Sequence, residues 1–277
     1  MIEKIKNKLR GWGWIKEYFP TFFDELGYTE VYNTKFNTLN LDEWRTSHIW
    51  GWVGVKNGVA KQYTGLKNFS NPTSTRGLIL HSRKEPILIN THEHSFIPPQ
   101  DKPLYVEWGR GLIESKKGYK YGVFEATIEF PNYVKNVWPA FWLTGKSNWP
   151  PEIDIVEAYS GKDGKYRGGP FNLKNRAFKP NLYFTEGENV VNYKAYSCKI
   201  PNLTDKLEIN FKLWWEEDFI RIYYNDVLMM EVTDKGILEQ MNEPMRIVLN
   251  HGVHNSEKLP DRDSIVRVLN LSIQQKL

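Results

Sequence analysis

Apolar and polar residues alternate with period two over most of the chain from residue 76 onward. This alternation predicts β-strands, because successive side chains of a strand point to opposite faces of a sheet. The predicted strands are Arg76–His81, Tyr119–Phe130, Trp138–Leu143, Glu152–Tyr159, Leu207–Trp215, Phe219–Tyr224, Val227–Val232, Met245–Asn250 and Ile265–Ile273. Asn225-Asp226 is expected to form a tight hairpin turn. Many short strands without long helices between them predict an all-β fold of two packed antiparallel sheets, a β-sandwich.

The N-terminal residues follow a helical pattern instead. Ile2, Ile5 and Leu9 recur at helical spacing, and Gly11 ends the pattern. The cations between them are Lys4, Lys6, Lys8 and Arg10. A short basic amphipathic helix is predicted, which either contacts a membrane or partner or packs on its own domain. The chain is thus divided into a basic extension, residues 1–27, and a sandwich domain, residues 28–277.

Composition agrees with one large globular domain. The chain has 277 residues, of which 40% are hydrophobic and 25% charged, and no linker rich in Gly, Ser or Pro interrupts it. No apolar run approaches the ~20 residues of a membrane span, and no apolar segment of the signal-peptide type follows the basic N-terminus. The net charge of +4 is modest, and the basic residues form no recognition element for nucleic acid.

Three carboxylates stand within the six residues Glu152-Ile153-Asp154-Ile155-Val156-Glu157. Period two places Glu152 and Asp154 on one strand face but puts Glu157 with the isoleucines. An ionised carboxylate on a core face costs more than a local kink, so a β-bulge near Val156 is predicted to bring all three acids together. Taken alone, the hexapeptide also fits an amphipathic strand with a solvated acidic face.

Clustered carboxylates carry a specific chemical possibility. Like charges held close force their pKa values apart. A retaining glycosidase uses that difference, with one carboxylate as nucleophile and another, roughly 5 to 5.5 Å away, as acid and then base. Neighbouring side chains on one bulged strand face are separated by about this distance.

Two motifs lie upstream of these acids, Tyr121–Pro131 with the sequence YGVFEATIEFP and Val137–Leu143 with VWPAFWL. Together with the carboxylate strand, their order and spacing resemble glycoside hydrolase family 16, the laminarinase, agarase and carrageenase group. The resemblance covers about residues 30–275 and is strongest over Gly111–Tyr159. It implies a jelly-roll sandwich of the concanavalin-like type. It makes Glu152 the nucleophile, Glu157 the general acid/base, and Asp154 a hydrogen-bond partner of the nucleophile.

Aromatic residues are abundant, with 11 Trp and 15 Tyr. Trp138 and Trp142 share one strand face by parity, and flat aromatic rings suit the apolar faces of sugars. Trp142 is predicted to be a sugar platform, whereas Trp138 fits a platform or the sandwich core equally. Trp149, before Pro150-Pro151, is expected at the cleft rim. Part of this aromatic surface is therefore interpreted as a carbohydrate-binding groove.

A basic segment follows the carboxylate strand. Between Gly161 and Asn181, Asp163 is opposed by Lys162, Lys165, Arg167, Lys174, Arg176 and Lys179. By resemblance this segment borders the cleft, where Arg167 and Arg176 would attract an anionic or sulfated glycan. A solvated loop is the equally weighted alternative.

Histidines that laminarinase-related family members commonly carry are missing. The comparable stretches read Asn181-Leu182-Tyr183-Phe184 and Glu208–Trp214. His251 and His254 are candidates to reach the cleft from another strand. The departures argue against plain β-1,3-glucan as substrate more than against hydrolysis.

No cofactor is expected. His92-Glu93-His94 has no third ligand in view and is interpreted as a surface loop. Many family members bind a structural calcium ion, but Thr34–Asn37 and Ser264 stand where its acidic ligands are expected, with Asp263 one place off. Cys198 is the single cysteine, so no intramolecular disulfide is possible, and the thiol is assigned to the core.

The resulting hypothesis is a monomeric, endo-acting retaining glycoside hydrolase that cleaves a β-linked polysaccharide of galactan or glucan type through a covalent intermediate. A non-catalytic lectin or virion adhesin, or a transglycosylase, would share much of the same surface. The family acts outside cells, so an extracellular or virion-associated location is expected, although the chain shows no signal peptide.

Overall fold

The computed structural model describes residues 2–46, 55–56, 59–60, 69–70, 76–89, 104–130, 134–159, 178–194, 208–253 and 259–276. The helices are α1 (Ile2–Gly11) and α2 (Lys235–Leu238), with 3₁₀ turns at Phe23–Leu26 and Glu239–Met241. The strands are β1 (Tyr28–Thr34), β2 (Trp44–Arg45), β3 (Val55–Lys56), β4 (Val59–Ala60), β5 (Phe69–Ser70), β6 (Leu78–Ile89), β7 (Leu104–Tyr119), β8 (Gly122–Glu129), β9 (Val137–Gly145), β10 (Glu152–Ala158), β11 (Phe178–Glu186), β12 (Asn189–Lys194), β13 (Glu208–Trp215), β14 (Ile220–Tyr224), β15 (Val227–Val232), β16 (Met245–Val253) and β17 (Ser264–Lys276).

The strands form two antiparallel layers joined along one edge. The carboxylate layer has the order β12-β11-β10-β9-β16-β7, and the opposite layer has the order β6-β17-β8-β13-β14-β15. The long strand β7 connects them, because its first half pairs with β6 and its second half pairs with β16. Strands β1, β2 and β5 add to β17, β7 and β6. The predicted two-sheet antiparallel sandwich is confirmed.

The core lies between the two layers. Ile153 and Phe141 of the carboxylate layer, and Phe124 and Leu213 of the opposite layer, have no exposed surface. They alternate with residues on the outer faces, as period two requires. Burying each such side chain contributes about 1.5–3 kcal/mol, so the inner faces keep both strand registers fixed.

One predicted strand is broken in two. The expected strand Tyr119–Phe130 is divided by a turn in which Tyr121 has φ 59° and Gly122 has φ 116°. A Cβ on Gly122 would lie 2.2 Å from the carbonyl oxygen of Gln274, so only glycine fits there. The predicted Asn225-Asp226 turn is confirmed, with φ values of 46° and 63°. The period-two pattern does not predict strands β1 to β5, β11 and β12, nor β7 before Tyr119.

The N-terminal helix packs on its own domain. It contacts β15, where Asn7 donates to the backbone carbonyl of Glu231 at 2.7 Å. Downstream, Phe23 is buried against Trp214 and Tyr223 on the outer face of the opposite layer. The contacts cross the predicted boundary between residues 27 and 28, which stays a prediction. Among the described helices, none is long and apolar enough to cross a bilayer.

Candidate active site

Strand β10 contains the bulge that the sequence predicts. The register of β10 with β9 gives the pairs Glu152↔Thr144, Ile153↔Leu143, Asp154↔Trp142, Val156↔Phe141 and Glu157↔Ala140. Ile155 is the extra residue, and the register with β11 also shifts between Asp154 and Glu157. The strand phase therefore resets, and all three acids face away from the core on the outer face of the carboxylate layer.

The opposite layer supports the bulge from behind. Tyr224, on β14, is fully buried and donates its hydroxyl hydrogen to the carbonyl oxygen of Ile155 at 2.9 Å. A buried carbonyl without a partner costs about 1–3 kcal/mol. The hydrogen bond therefore satisfies the backbone group that the extra residue turns out of the strand ladder.

Glu152 lies at the start of β10 and is partly exposed. Its Oε2 atom accepts a hydrogen bond from the indole nitrogen Nε1 of Trp149 at 2.8 Å. Burial raises the pKa of Glu152 to about 7; the Trp149 hydrogen bond opposes that shift, and the charge of Glu157 adds to it. A bond with Asp154 also favours the ionised form of Glu152.

Asp154 lies between the two glutamates and is 3% exposed. Burial raises its pKa well above the usual range, and the charges of Glu152 and Glu157 raise it further. Of the two carboxyls that share a hydrogen bond, Asp154 is therefore the one that keeps its proton and donates to Glu152. This fits the part that the family resemblance implies for Asp154.

Glu157 is 6% exposed and has several donors around it. Burial raises its pKa, while Tyr159, the charge of Lys179, Trp138 and Asn181 act in the opposite direction. The side-chain nitrogen of Asn181 donates to Oε2 of Glu157. These donors favour an ionised Glu157 in the free protein. The electrostatics therefore do not by themselves assign Glu157 the acid role that the family motif implies.

The loop that carries Trp149 is fixed at its base by a buried cation. Arg246 donates to the carbonyl oxygens of Gly145 at 3.1 Å and Lys146 at 2.8 Å. Its Nε atom lies 2.8 Å from Oε1 of Glu114, and these side chains are 2% and 0% exposed. The ion pair and the two backbone hydrogen bonds therefore connect the start of this loop to β7 and β16.

The predicted aromatic residues surround the acids. Trp138 and Trp142 are partly exposed on the carboxylate face. Trp142 donates from Nε1 to Oδ1 of Asn250 at 2.7 Å, which fixes its ring plane. The Trp138 ring lies 5.2 Å from that of Tyr159. Trp138 is thus on the outer face, and the core alternative is wrong for it.

Trp149 lies at the edge of the same surface. Its side chain is 43% exposed, and its ring centroid lies 5.9 Å from that of Tyr183. Four polar partners of the site were missed at the sequence level: Tyr159, Asn181, Tyr183 and Asn250. Alternation along β11 places Tyr183 and Asn181 on the same face as the acids, because they pair with Glu152 and Asp154. That register could not be read without knowing that β10 and β11 are neighbours.

His251 does not reach the carboxylate face, so that expectation is wrong. It pairs with Pro139, one position beyond the Asn250↔Ala140 pair, and therefore points to the core side. Its side chain is fully buried, and its Nε2 atom lies 2.6 Å from Oγ of Ser264. Burial lowers its pKa to about 3, so it stays neutral.

Several other residues that the sequence singles out lie outside the described ranges. They are Arg167, Arg176 and His254, the triplet His92–His94, Cys198, and the basic segment up to residue 177. Within the ranges that are described, no three or more His, Cys, Asp or Glu side chains form a metal-binding group. Asp263 accepts a hydrogen bond from the backbone nitrogen of Lys84 at 2.9 Å.

Clustering of buried acids is expected to cost stability near neutral pH. The pKa of Glu152 is higher in the folded protein, about 7 against 4.5, so the folded state binds its proton more tightly. The free energy of unfolding therefore falls as pH rises through this window. A shift of this size corresponds to about 3 kcal/mol. Glu152→Gln should thus raise the unfolding temperature by several degrees at about pH 8 and by much less near pH 4.5.

Thermal unfolding followed by circular dichroism at both pH values measures this effect. Glu188→Gln, at an exposed glutamate in the β11–β12 turn, is the matched control and should change neither temperature. A Glu152→Gln variant that is less stable than the wild type at about pH 8 would contradict the electrostatic picture of the cluster.

Comparison with known proteins gives one family. The sequence model of glycosyl hydrolases family 16 matches residues 67–262. The endo-1,3-1,4-beta-glycanase EglC of Rhizobium meliloti (strain 1021) is 24% identical over 243 residues, which are 84% of this chain and 48% of EglC. The chain therefore spans about half the length of this curated relative.

Solved structures share the fold. The laminarinase catalytic domain from Thermotoga maritima MSB8 superposes with a TM-score of 0.62 at 17% identity, over 90% of this chain and 99% of that one. A structure described among endo-acting O-glycanases, through which members of the human gut microbiota initiate mucin breakdown, has a TM-score of 0.66 at 19% identity, over 94% and 93%. At these identities the likeness concerns the sandwich fold alone.

Proposed function

We propose, from the premise that this chain belongs to glycosyl hydrolase family 16, that it cleaves internal β-linkages of a polysaccharide with retention of configuration. The family resemblance noted in the sequence is confirmed, and so is the expected enzyme class, a glycoside hydrolase. The endo mode, the retaining mechanism and the substrate belong to the proposal.

One observation supports the proposal most strongly. The extra residue Ile155 brings Glu152, Asp154 and Glu157 onto one outer face, next to partly exposed tryptophans. A fold gains no stability from three crowded acids that have lost much of their hydration. Retaining glycoside hydrolysis needs two carboxyl groups on one surface, and Glu152 and Glu157 are proposed as this pair.

The proposed reaction has two steps. In the first, the Glu152 carboxylate attacks the anomeric carbon while Glu157 donates its proton to the glycosidic oxygen, and the bond to the leaving sugar breaks. In the second, ionised Glu157 takes a proton from water, which attacks the same carbon and releases Glu152. Asp154, hydrogen-bonded to Glu152, and Trp149, donating at 2.8 Å, stabilise the negative charge that returns to Glu152.

A glucan with mixed β-1,3 and β-1,4 linkages is the first candidate substrate. The name of the relative EglC supports it, and the partly exposed Trp138 and Trp142 offer ring faces for sugars. An anionic galactan or glucan is the second candidate. It is supported by Lys179, which pairs with Glu157 across β10 and β11 and so places a cation on the same face.

A panel of glycans tests the proposal. Purified protein is incubated with mixed-linkage glucan, laminarin, agarose, carrageenan and mucin O-glycans, and new reducing ends are measured together with product size. We expect oligosaccharides of intermediate length from at least one polymer, and none from the Glu152→Gln variant. Binding without new reducing ends would instead indicate a lectin. Products longer than the substrate in excess acceptor sugar would indicate a transglycosylase.

A further inference from the structure

Helix α1 is attached to the domain through its polar side. Glu3 accepts hydrogen bonds from the backbone nitrogen of Thr233 at 2.9 Å and from its hydroxyl at 2.6 Å. Asn7 exchanges hydrogen bonds with the backbone of Glu231. Arg10 is 2% exposed and forms ion pairs with Glu17 at 2.9 Å and with Glu231 at 3.0 Å. Residues 3, 7 and 10 lie on one helix face.

The apolar side of the helix consequently faces outward. Ile2 is 73% exposed and Ile5 is 53% exposed, and Leu9 continues their row while partly buried. At 3.6 residues per turn, the centre of this row lies about 130° around the helix from the centre of the docked polar face. Trp14, just beyond the helix, is 66% exposed and contacts Trp12 edge to face at 5.1 Å. A surface helix of a globular domain normally has the reverse orientation.

Lysines border this apolar row. Lys6 and Lys16 are exposed, whereas the ammonium of Lys4 lies 5.3 Å from the ring centroid of Tyr193 on the domain and the charge of Arg10 is compensated by Glu17 and Glu231. The charge that the helix presents outward is therefore positive. Exposed aliphatic side chains, a tryptophan and surrounding lysines are the features of a helix that lies in a membrane interface.

We propose that this surface, formed by Ile2, Ile5, Leu9, Trp14 and the exposed Lys6 and Lys16, binds the surface of an anionic lipid bilayer. The apolar row inserts at the level of the headgroups, and the lysines contact anionic headgroups. A second copy of the chain fits less well, because a symmetric contact would bring the same lysines together. A glycan fits less well too, because isoleucine offers no flat face to a sugar ring.

Vesicle flotation with the full chain tests the proposal without using hydrolysis. Vesicles of phosphatidylcholine with about one third phosphatidylglycerol are compared with pure phosphatidylcholine. We expect at least about tenfold stronger binding to the anionic vesicles, and weaker binding at about 0.5 M salt, where exposed charges are screened. Equal binding to both compositions, or no binding to either, would overturn the proposal.

Variants locate the surface. The double variant Ile2→Asp and Ile5→Asp should lower vesicle binding at least about tenfold while leaving the unfolding temperature unchanged, because both side chains are already exposed. Leu41→Asp, at another exposed apolar residue (49%), is the matched control and should bind like the wild type. Undiminished binding by the double variant would contradict the proposal. A dimer in sedimentation that the double variant dissociates would assign the surface to self-association instead.

Discussion

Replacing Glu152 with alanine is expected to lower kcat/KM on the polysaccharide by about 10⁴-fold or more, as loss of a covalent nucleophile does in other enzymes. Glu152 is the carboxylate that receives hydrogen bonds from Trp149 and Asp154. Without it no glycosyl-enzyme ester can form. The measurement is the initial rate of reducing-end release. Glu188→Ala, at an exposed glutamate of the β11–β12 turn, should keep the wild-type rate.

Azide distinguishes the nucleophile from the acid. In the Glu152→Ala variant, azide can enter the vacated space and displace an activated leaving group directly. The bond to azide then forms on the side opposite the broken bond, so the glycosyl azide has inverted configuration. Wild-type hydrolysis by Glu152→Ala would refute the assignment. An azide product of retained configuration would show that another group is still acting as nucleophile.

Replacing Glu157 with alanine is expected to lower polysaccharide hydrolysis by about 10²–10⁴-fold, the usual contribution of general acid–base catalysis. The loss should be much smaller for the first step on a dinitrophenyl glycoside, because that leaving group departs without a proton. The second step stays slow, so the glycosyl-enzyme should accumulate as a burst of dinitrophenol and as one added glycosyl unit in intact-mass spectra.

The pH profile and azide complete the test of Glu157. The alkaline limb of kcat/KM should disappear in Glu157→Ala, because that limb reports deprotonation of the acid. Azide should restore turnover with retained configuration, since Glu152 still forms the intermediate and two inversions occur. Retention with Glu152→Ala and inversion with Glu157→Ala would mean that the two roles are exchanged. That outcome would agree with the donors around Glu157, which favour its ionised form.

The acid cluster is expected to lower the stability of the fold while it supplies the carboxyl groups for the proposed reaction. Burial raises the pKa values of Glu152 and Asp154, and neighbouring carboxylate charges raise them further, so the cluster is expected to lower stability at neutral pH. Hydrogen bonds from Trp149 to Glu152 and from Asn181 to Glu157 offset part of that cost.

The amino-acid pattern was sufficient to predict much of the conformation of the carboxylate strand. Period two indicated that Glu157 lay out of phase with Glu152 and Asp154, and the cost of an ionised side chain in the core made a bulge the favourable solution. The register shows it at Ile155, next to the expected position. Local rules also predicted the Asn225-Asp226 turn, because two residues with positive φ suit a tight hairpin.

Other features depended on residues distant in sequence. The break at Gly122 is required by the approach of Gln274, 152 positions away along the numbering of the chain, and alternation continues across it without a signal. The expectation that His251 reaches the cleft is wrong, because a shift of one position moves a side chain to the other face of a strand. The expected strand ends at Asn250, so the alternation pattern does not determine which face the next residue takes.

Some features of helix α1 are determined by its own sequence, and others depend on the tertiary structure. Its helical spacing and its end at Gly11 are local properties, set by side-chain periodicity and backbone freedom, and both were predictable. The face of the helix that packs on the domain is not determined by the local sequence. Glu231 of β15 and Thr233, just after that strand, offer hydrogen-bonding partners to Asn7, Arg10 and Glu3. Those partners come together with the helix only once the sandwich has folded, because they lie more than 200 positions away in the sequence.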